Sequence, residues 1–161
     1  MMLLQNRVFK TSISNNTFNQ LTMNLIRNML KTPTYGNAAD AGLMVLRIGV
    51  GLLMMHHGWT KLVGFNEMAV DFYDLLGLGG HISLGLTIFG EFFCSLLLLI
   101  GLGTRLALIP LIILILVIVL DVKGEDPFGE KELVLLYFFS YVCLWLTGPG
   151  KYSIDFRLHS K

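Results

Sequence analysis

The chain has 161 residues, 54% of them hydrophobic and only 14% charged, with a formal net charge of +1. Soluble domains carry about 25% charged residues, so this deficit, with a mean hydropathy of +0.67, excludes an ordinary soluble domain. A charge so near zero and the lack of any recognisable motif exclude nucleic acid as a partner. The two cysteines, Cys94 and Cys143, both fall in apolar stretches and imply no disulfide framework.

In chain order, residues 1–38 read as a polar, Asn-rich cytoplasmic leader. Met1 to Leu4 is apolar but far too short for a signal-peptide core. Phe18, Leu21, Leu25 and Met29 recur at helical spacing beside Arg27 and Lys31, which suits either a short helix on the membrane surface or a leader without fixed structure. Residues 39–157 form the membrane domain and residues 158–161 a tail.

Four hydrophobic blocks follow, running from about Ala41 to Trp59, Ile82 to Gly101, Leu106 to Leu120 and Glu132 to Leu146. A helix crossing a hydrocarbon core of about 30 Å needs around 20 residues. The first two blocks reach that length directly, the others by including flanking residues. The expected fold is therefore all-α: an integral membrane bundle of four transmembrane helices with a polar or amphipathic N-terminal extension. With four crossings, Arg7, Lys10, Arg27, Lys31, Arg105, Lys151, Arg157 and Lys161 share one side, against Lys61, Lys123 and Lys131 on the other. This bias places both termini in the cytoplasm.

The faces carry the functional signal. In the second block Thr87, Glu91, Cys94 and Ser95 stack as one polar stripe that Ser83 extends. In the first, Arg47, Gly51 and Gly58 share a face with Met54 close by, and in the fourth Ser140, Cys143 and Thr147 repeat the pattern. These three stripes are expected to point inward, leaving the third helix largely facing lipid or a partner. A charge at the bilayer centre costs roughly 2.5–3.5 kcal/mol on insertion scales, so Arg47 and Glu91 need a reason to be there. Counted from the block ends, Arg47 lies roughly 9 Å and Glu91 roughly 15 Å from the inner surface at 1.5 Å per residue. An extended arginine spans that difference, and its fork suits a carboxylate. An Arg47–Glu91 pair is expected, serving either helix packing or a polar site for a small ligand or proton.

Near the outer surface His56, His57 and Lys61 lie opposite Asp121 and Glu132 at facing helix ends. Of these, His57, Lys61 and Glu132 are candidates for a pocket mouth. Interfacial capping explains the same residues without a pocket, and no metal-ligand spacing occurs. Trp59, Trp145 and Tyr152 read as interface anchors. Without a Cys-x-x-Cys motif, Cys94 and Cys143 read as small apolar residues rather than a dithiol.

Several short motifs recur in order: Leu46-Arg47-Ile-Gly49-Val-Gly51, then His57-Gly58-x-x-Lys61-Leu62, Glu91, Gly101-Leu-Gly-Thr104-Arg105, Glu132 and Thr147-Gly148-Pro149-Gly150-Lys151-Tyr152-Ser153-Ile154-Asp155. Over roughly residues 40–156 they resemble the DoxX family of small four-helix bacterial membrane proteins. The resemblance implies a bacterial cytoplasmic (inner) membrane protein associated with oxidoreductases; relatives include the membrane subunit of a thiosulfate:quinone oxidoreductase and an anchor for redox and detoxification enzymes. Locally, Pro149 and its glycines stop the fourth helix, and Asp155 is expected to hydrogen-bond within that turn.

No flavin, haem or iron–sulfur motif is visible, so no self-sufficient catalytic centre is evident and a soluble redox enzyme would be the electron donor. The leading expectation is a membrane subunit or anchor of an oxidoreductase system with a quinone or small-molecule site in the bundle. A scaffold or assembly factor without chemistry and, less readily, a small-solute or proton pathway are the alternatives. Homo-oligomerisation stays open.

Overall fold

The structure, a computed structural model, describes residues 20, 22–24, 33–74 and 77–159. The chain divides into two compact units, Met1–Lys31 and Thr32–Lys161. Within the first, residues 20 and 22–24 are helical; the expected surface helix through Phe18, Leu21, Leu25 and Met29 lies outside the described residues.

The second unit is helical throughout, with no strand among the described residues. Its elements are α1 (Asn37–Val63), α2 (Phe65–Met68), α3 (Gly80–Ile100), α4 (Thr104–Val122), α5 (Phe128–Thr147) and α6 (Ile154–His159). Three of them, α1, α3 and α4, are long and apolar enough to cross a membrane. The 20-residue α5 carries Glu130, Lys131 and Glu132 near its start and is not among those three. The apolar runs are interrupted where the backbone needs glycine. At Gly101, which ends α3 with φ +71°, the Leu102 and Gly101 N–H groups donate to the carbonyls of Leu97 and Leu98 at 3.0 and 3.1 Å, satisfying the last turn.

Helices α1 and α3 run antiparallel and approach through small residues, which lets backbones come close where lipid removes the hydrophobic drive for association. Arg47 lies beside Gly101, Gly51 beside Ser95 and Leu99, and Gly58 beside Glu91 and Phe92. Ala107, Leu108, Leu111 and Ile115 of α4 join Tyr137, Tyr141 and Leu144 of α5, with Met54, Cys94 and Leu98, in one core cluster.

The third hydrophobic block is largely uncovered, as expected, and packs one face inward through Ala107, Leu108, Leu111 and Ile115 of α4. One expectation about faces is corrected: the Ser140, Cys143, Thr147 stripe of α5 does not point inward, because Tyr137, Tyr141 and Leu144 are the buried residues there and Cys143 is exposed. The Ser140 and Thr147 hydroxyls donate to the carbonyls of Leu136 and Cys143 on their own helix, each at 2.7 Å. Hydroxyls satisfied in this way need no partner across the bundle, so shape rather than polarity selects the inward face.

Gly101 supports a direct prediction. Its left-handed φ disfavours any β-carbon by about 1–2 kcal/mol, and a β-carbon there would lie 2.3 Å from Arg47 Nη1 and 2.7 Å from Ser153 Cβ. Gly101→Ala is therefore expected to lower the thermal unfolding midpoint in detergent clearly. Gly103→Ala, at φ +56° with no atom within 4 Å of the added carbon, should show the smaller backbone cost alone.

Candidate functional site

The buried carboxylate of Glu91 is paired, but not with arginine. Lys61 Nζ donates to both its oxygens, at 2.8 Å to Oε1 and 2.6 Å to Oε2. The Glu91 side chain is 4% exposed and that of Lys61 24%. Lys61 continues the α1 face of Arg47, Gly51, Met54 and Gly58, at alternating four- and three-residue steps. Side chains on a helix lean toward its N-terminus, so Lys61 reaches back to the level of Gly58, where Glu91 lies. Glu91 itself sits in a π turn, Phe89–Cys94, within α3, a wide turn frequently found at functional sites.

The pair forms the polar end of a cleft of about 510 Å³, within the roughly 300–1,000 Å³ usual for small-molecule sites. Leu86, Thr87 and Phe89 of α3 wall one side, and Pro110, Ile113, Leu114, Val117, Ile118 and Val122 of α4 the other. The loop after α2 supplies Phe72 and Tyr73. The Thr87 hydroxyl donates to the Ser83 carbonyl at 2.9 Å, leaving its oxygen able to accept. Tyr73 donates its hydroxyl to Asp121 Oδ2, bridging the loop to the last turn of α4. That hydrogen bond, followed by desolvation and the charges of Asp121 and Asp74, holds the phenol above the usual tyrosine range. On the bundle side of the pair, Tyr137 and Tyr141 lie within electrostatic reach of Glu91. The Tyr141 hydroxyl and the Ser95 hydroxyl are buried without a hydrogen-bond partner.

Arg47 belongs to a different structure. It is 2% exposed and donates from Nη1 to the Pro149 carbonyl at 3.1 Å and from Nη2 to the Tyr152 carbonyl at 2.9 Å. The Asp155 carboxylate accepts from the N–H groups of Gly103 at 2.7 Å and Thr104 at 2.9 Å, capping the start of α4. It also acts electrostatically on Arg47. Asp40, fully buried in the first turn of α1, accepts from the Lys151 N–H at 3.2 Å. These contacts tie the first-helix arginine, the Gly101–Arg105 turn and the Gly148–Asp155 run into one knot at the end of the bundle.

The expected Arg47–Glu91 pair is thus not formed. Depth measured from block ends misses that α1 slides along α3 until Arg47 is level with Gly101, leaving it about eleven residues, or roughly 16 Å, below Gly58 and Glu91. Of the residues expected at a pocket mouth, Lys61 lines the cleft, while His57 and Glu132 are exposed and outside its lining. Thr87 belongs to the polar stripe expected on α3, whereas Tyr73, Tyr137 and Tyr141 carry no motif; the tyrosines of α5 had only their four-residue spacing to mark them.

Neither the curated proteins nor the solved structures yield a match. The DoxX family model matches residues 42–124, more than half of the chain. Every residue lining the cleft falls inside that stretch, as do all three apolar spans except the first residues of α1. With its membrane-spanning helices and its cleft both inside the match, this chain is a membrane protein of the DoxX family.

Proposed function

We propose that this protein is the membrane-embedded subunit or anchor of an oxidoreductase system and that its cleft binds a quinone. The observation that supports this reading is the Lys61–Glu91 ion pair at the end of an otherwise apolar cleft. Two ionisable groups at membrane depth are expensive and tend to mark a ligand or proton path. The residues fit a quinone: aliphatic and aromatic walls suit the ring and its tail, and the ammonium and carboxylate offer a donor and an acceptor to its oxygens. Electrons would come from a soluble redox enzyme docked on the membrane domain, since no cofactor-binding motif is present in the sequence.

The same reading takes α5 as a fourth crossing. It starts after the turn at 123–126 and ends beside the Gly101–Gly103 turn, so it runs alongside α4. Its 20 residues span about 30 Å at 1.5 Å per residue. On this reading, with Arg105, Lys151 and Arg157 at one end of the bundle, four crossings would leave both termini on the cytoplasmic side of a bacterial inner membrane.

Titration of purified protein in nanodiscs with a short-tailed benzoquinone tests the site. Trp59, whose ring lies 5.9 Å from Phe92, is the fluorescent reporter. Wild type should bind, and Glu91→Gln should bind at least tenfold more weakly, about 1.4 kcal/mol. Equal affinities would remove the site assignment. A second reading, a scaffold without chemistry, draws on Arg47, whose hydrogen bonds go to backbone carbonyls. It predicts no quinone binding and unchanged co-purification of a soluble partner with Glu91→Gln.

A further inference from the structure

We infer that the cleft takes an amphiphile with an uncharged head, which enters sideways from the bilayer between α3 and α4 and leaves its tail in that gap. This rests on the cleft being a ligand site, as proposed above, and adds the head's charge class and the route of access.

The head's charge follows from how the pair is made. Both carboxylate oxygens of Glu91 engage one ammonium, at 2.6 and 2.8 Å, so the polar end of the cleft carries no net charge. An anionic head would have to compete with Glu91 for Lys61, leaving the buried carboxylate uncompensated, and a cationic head would have to displace an ammonium already bound to both carboxylate oxygens. A neutral head meets no such cost. It finds the third N–H of Lys61, free lone pairs on Glu91 and the accepting oxygen of Thr87. Carbonyl and hydroxyl heads match that set.

The route follows from which cleft residues are exposed. Leu86 and Phe89 on α3 and Ile113 on α4 line the cleft, yet are 50%, 52% and 56% exposed. They lie on spans apolar enough to cross a membrane, so the opening they frame faces hydrocarbon. At the end nearer the polar turn, the Tyr73–Asp121 hydrogen bond joins loop to helix across the cleft. The cleft, about 510 Å³ in volume, is open along this side, so a tail that enters between Leu86, Phe89 and Ile113 lies in that gap.

Native mass spectrometry of protein from nanodiscs, doped in turn with hexadecanol, hexadecyl sulfate and hexadecyltrimethylammonium, tests the assignment. Wild type should retain hexadecanol at least tenfold better than either charged probe. Glu91→Gln, which leaves the Lys61 cation unneutralised, should reverse the order between hexadecanol and hexadecyl sulfate. Phe89→Trp with Ile113→Trp, crowding the opening without replacing either member of the pair, should slow hexadecanol loading several-fold. Charged probes held as well as the neutral one, an order unchanged by Glu91→Gln, or loading unaffected by the tryptophans would each overturn the inference. Hexadecanol bound where the benzoquinone is not would leave the inference standing and remove the quinone reading; no probe bound would remove both.

Discussion

Lys61→Met is expected to destabilise the bundle by about 3–5 kcal/mol, the usual cost of leaving one partner of a buried ion pair alone. Glu91 is held at 4% side-chain exposure by the close approach of α1, and Arg47 is about 16 Å away along α1, too far to replace the lost ammonium. Glu91→Gln should cost less. Lys61, 24% exposed on the last turn of α1, has a long stem that can carry its charge toward the interface. Adding Glu91→Leu to Lys61→Met should recover most of the loss, because an apolar pair in this wall leaves nothing to desolvate. Unfolding midpoints of the three variants in one detergent, set against wild type, read this order directly. Glu91→Gln as damaging as Lys61→Met would contradict the asymmetry in burial on which the prediction stands.

The helices were legible in the sequence because hydropathy is a one-dimensional signal, and so were the buried faces on α1 and α3. Arg47, Gly51 and Gly58 share the expected side, and Ser83, Glu91, Cys94 and Ser95 are all buried. What one dimension does not carry is the sliding register of one helix on another. Arg47 and Glu91 lie about three helical turns apart, the whole distance between a knot and a cleft. A clue was present: Lys61 continues the spacing of Arg47, Gly51, Met54 and Gly58, and among those residues it is the other cation. The knot was hidden for a related reason. Gly101 and the Gly148–Gly150 run read correctly as helix stops, but a stop also presents carbonyls, and which side chain collects them is a tertiary fact. The π turn around Glu91 has no sequence mark, since its residues would serve equally well in an α-helix.

Gly58→Ala is the second large effect expected, and it tests whether the close approach of α1 and α3 builds the cleft. A β-carbon at Gly58 would lie 2.6 Å from the Phe92 nitrogen, 2.8 Å from the Glu91 carbonyl carbon and 2.9 Å from Phe92 Cβ. Two of these are backbone atoms, so no side-chain rotation relieves the clash and the helices must separate. Overpacking of this kind costs about 1–3 kcal/mol and occasionally more. Helix propensity works the other way, favouring alanine over glycine by about 1 kcal/mol, and Gly49→Ala isolates that term, because nothing lies within 4 Å of its added carbon. Gly49→Ala should therefore be neutral or stabilising while Gly58→Ala loses stability. Because the contact falls at Glu91 and Phe92, separation there also draws α1 and its Lys61 away from the carboxylate. Gly58→Ala should then weaken binding in the cleft as well as the fold, whereas a merely structural glycine would leave the surviving folded protein with wild-type affinity. Binding measured on the folded fraction distinguishes the two, and places Gly58 among the residues that hold the ion pair together without touching the ligand.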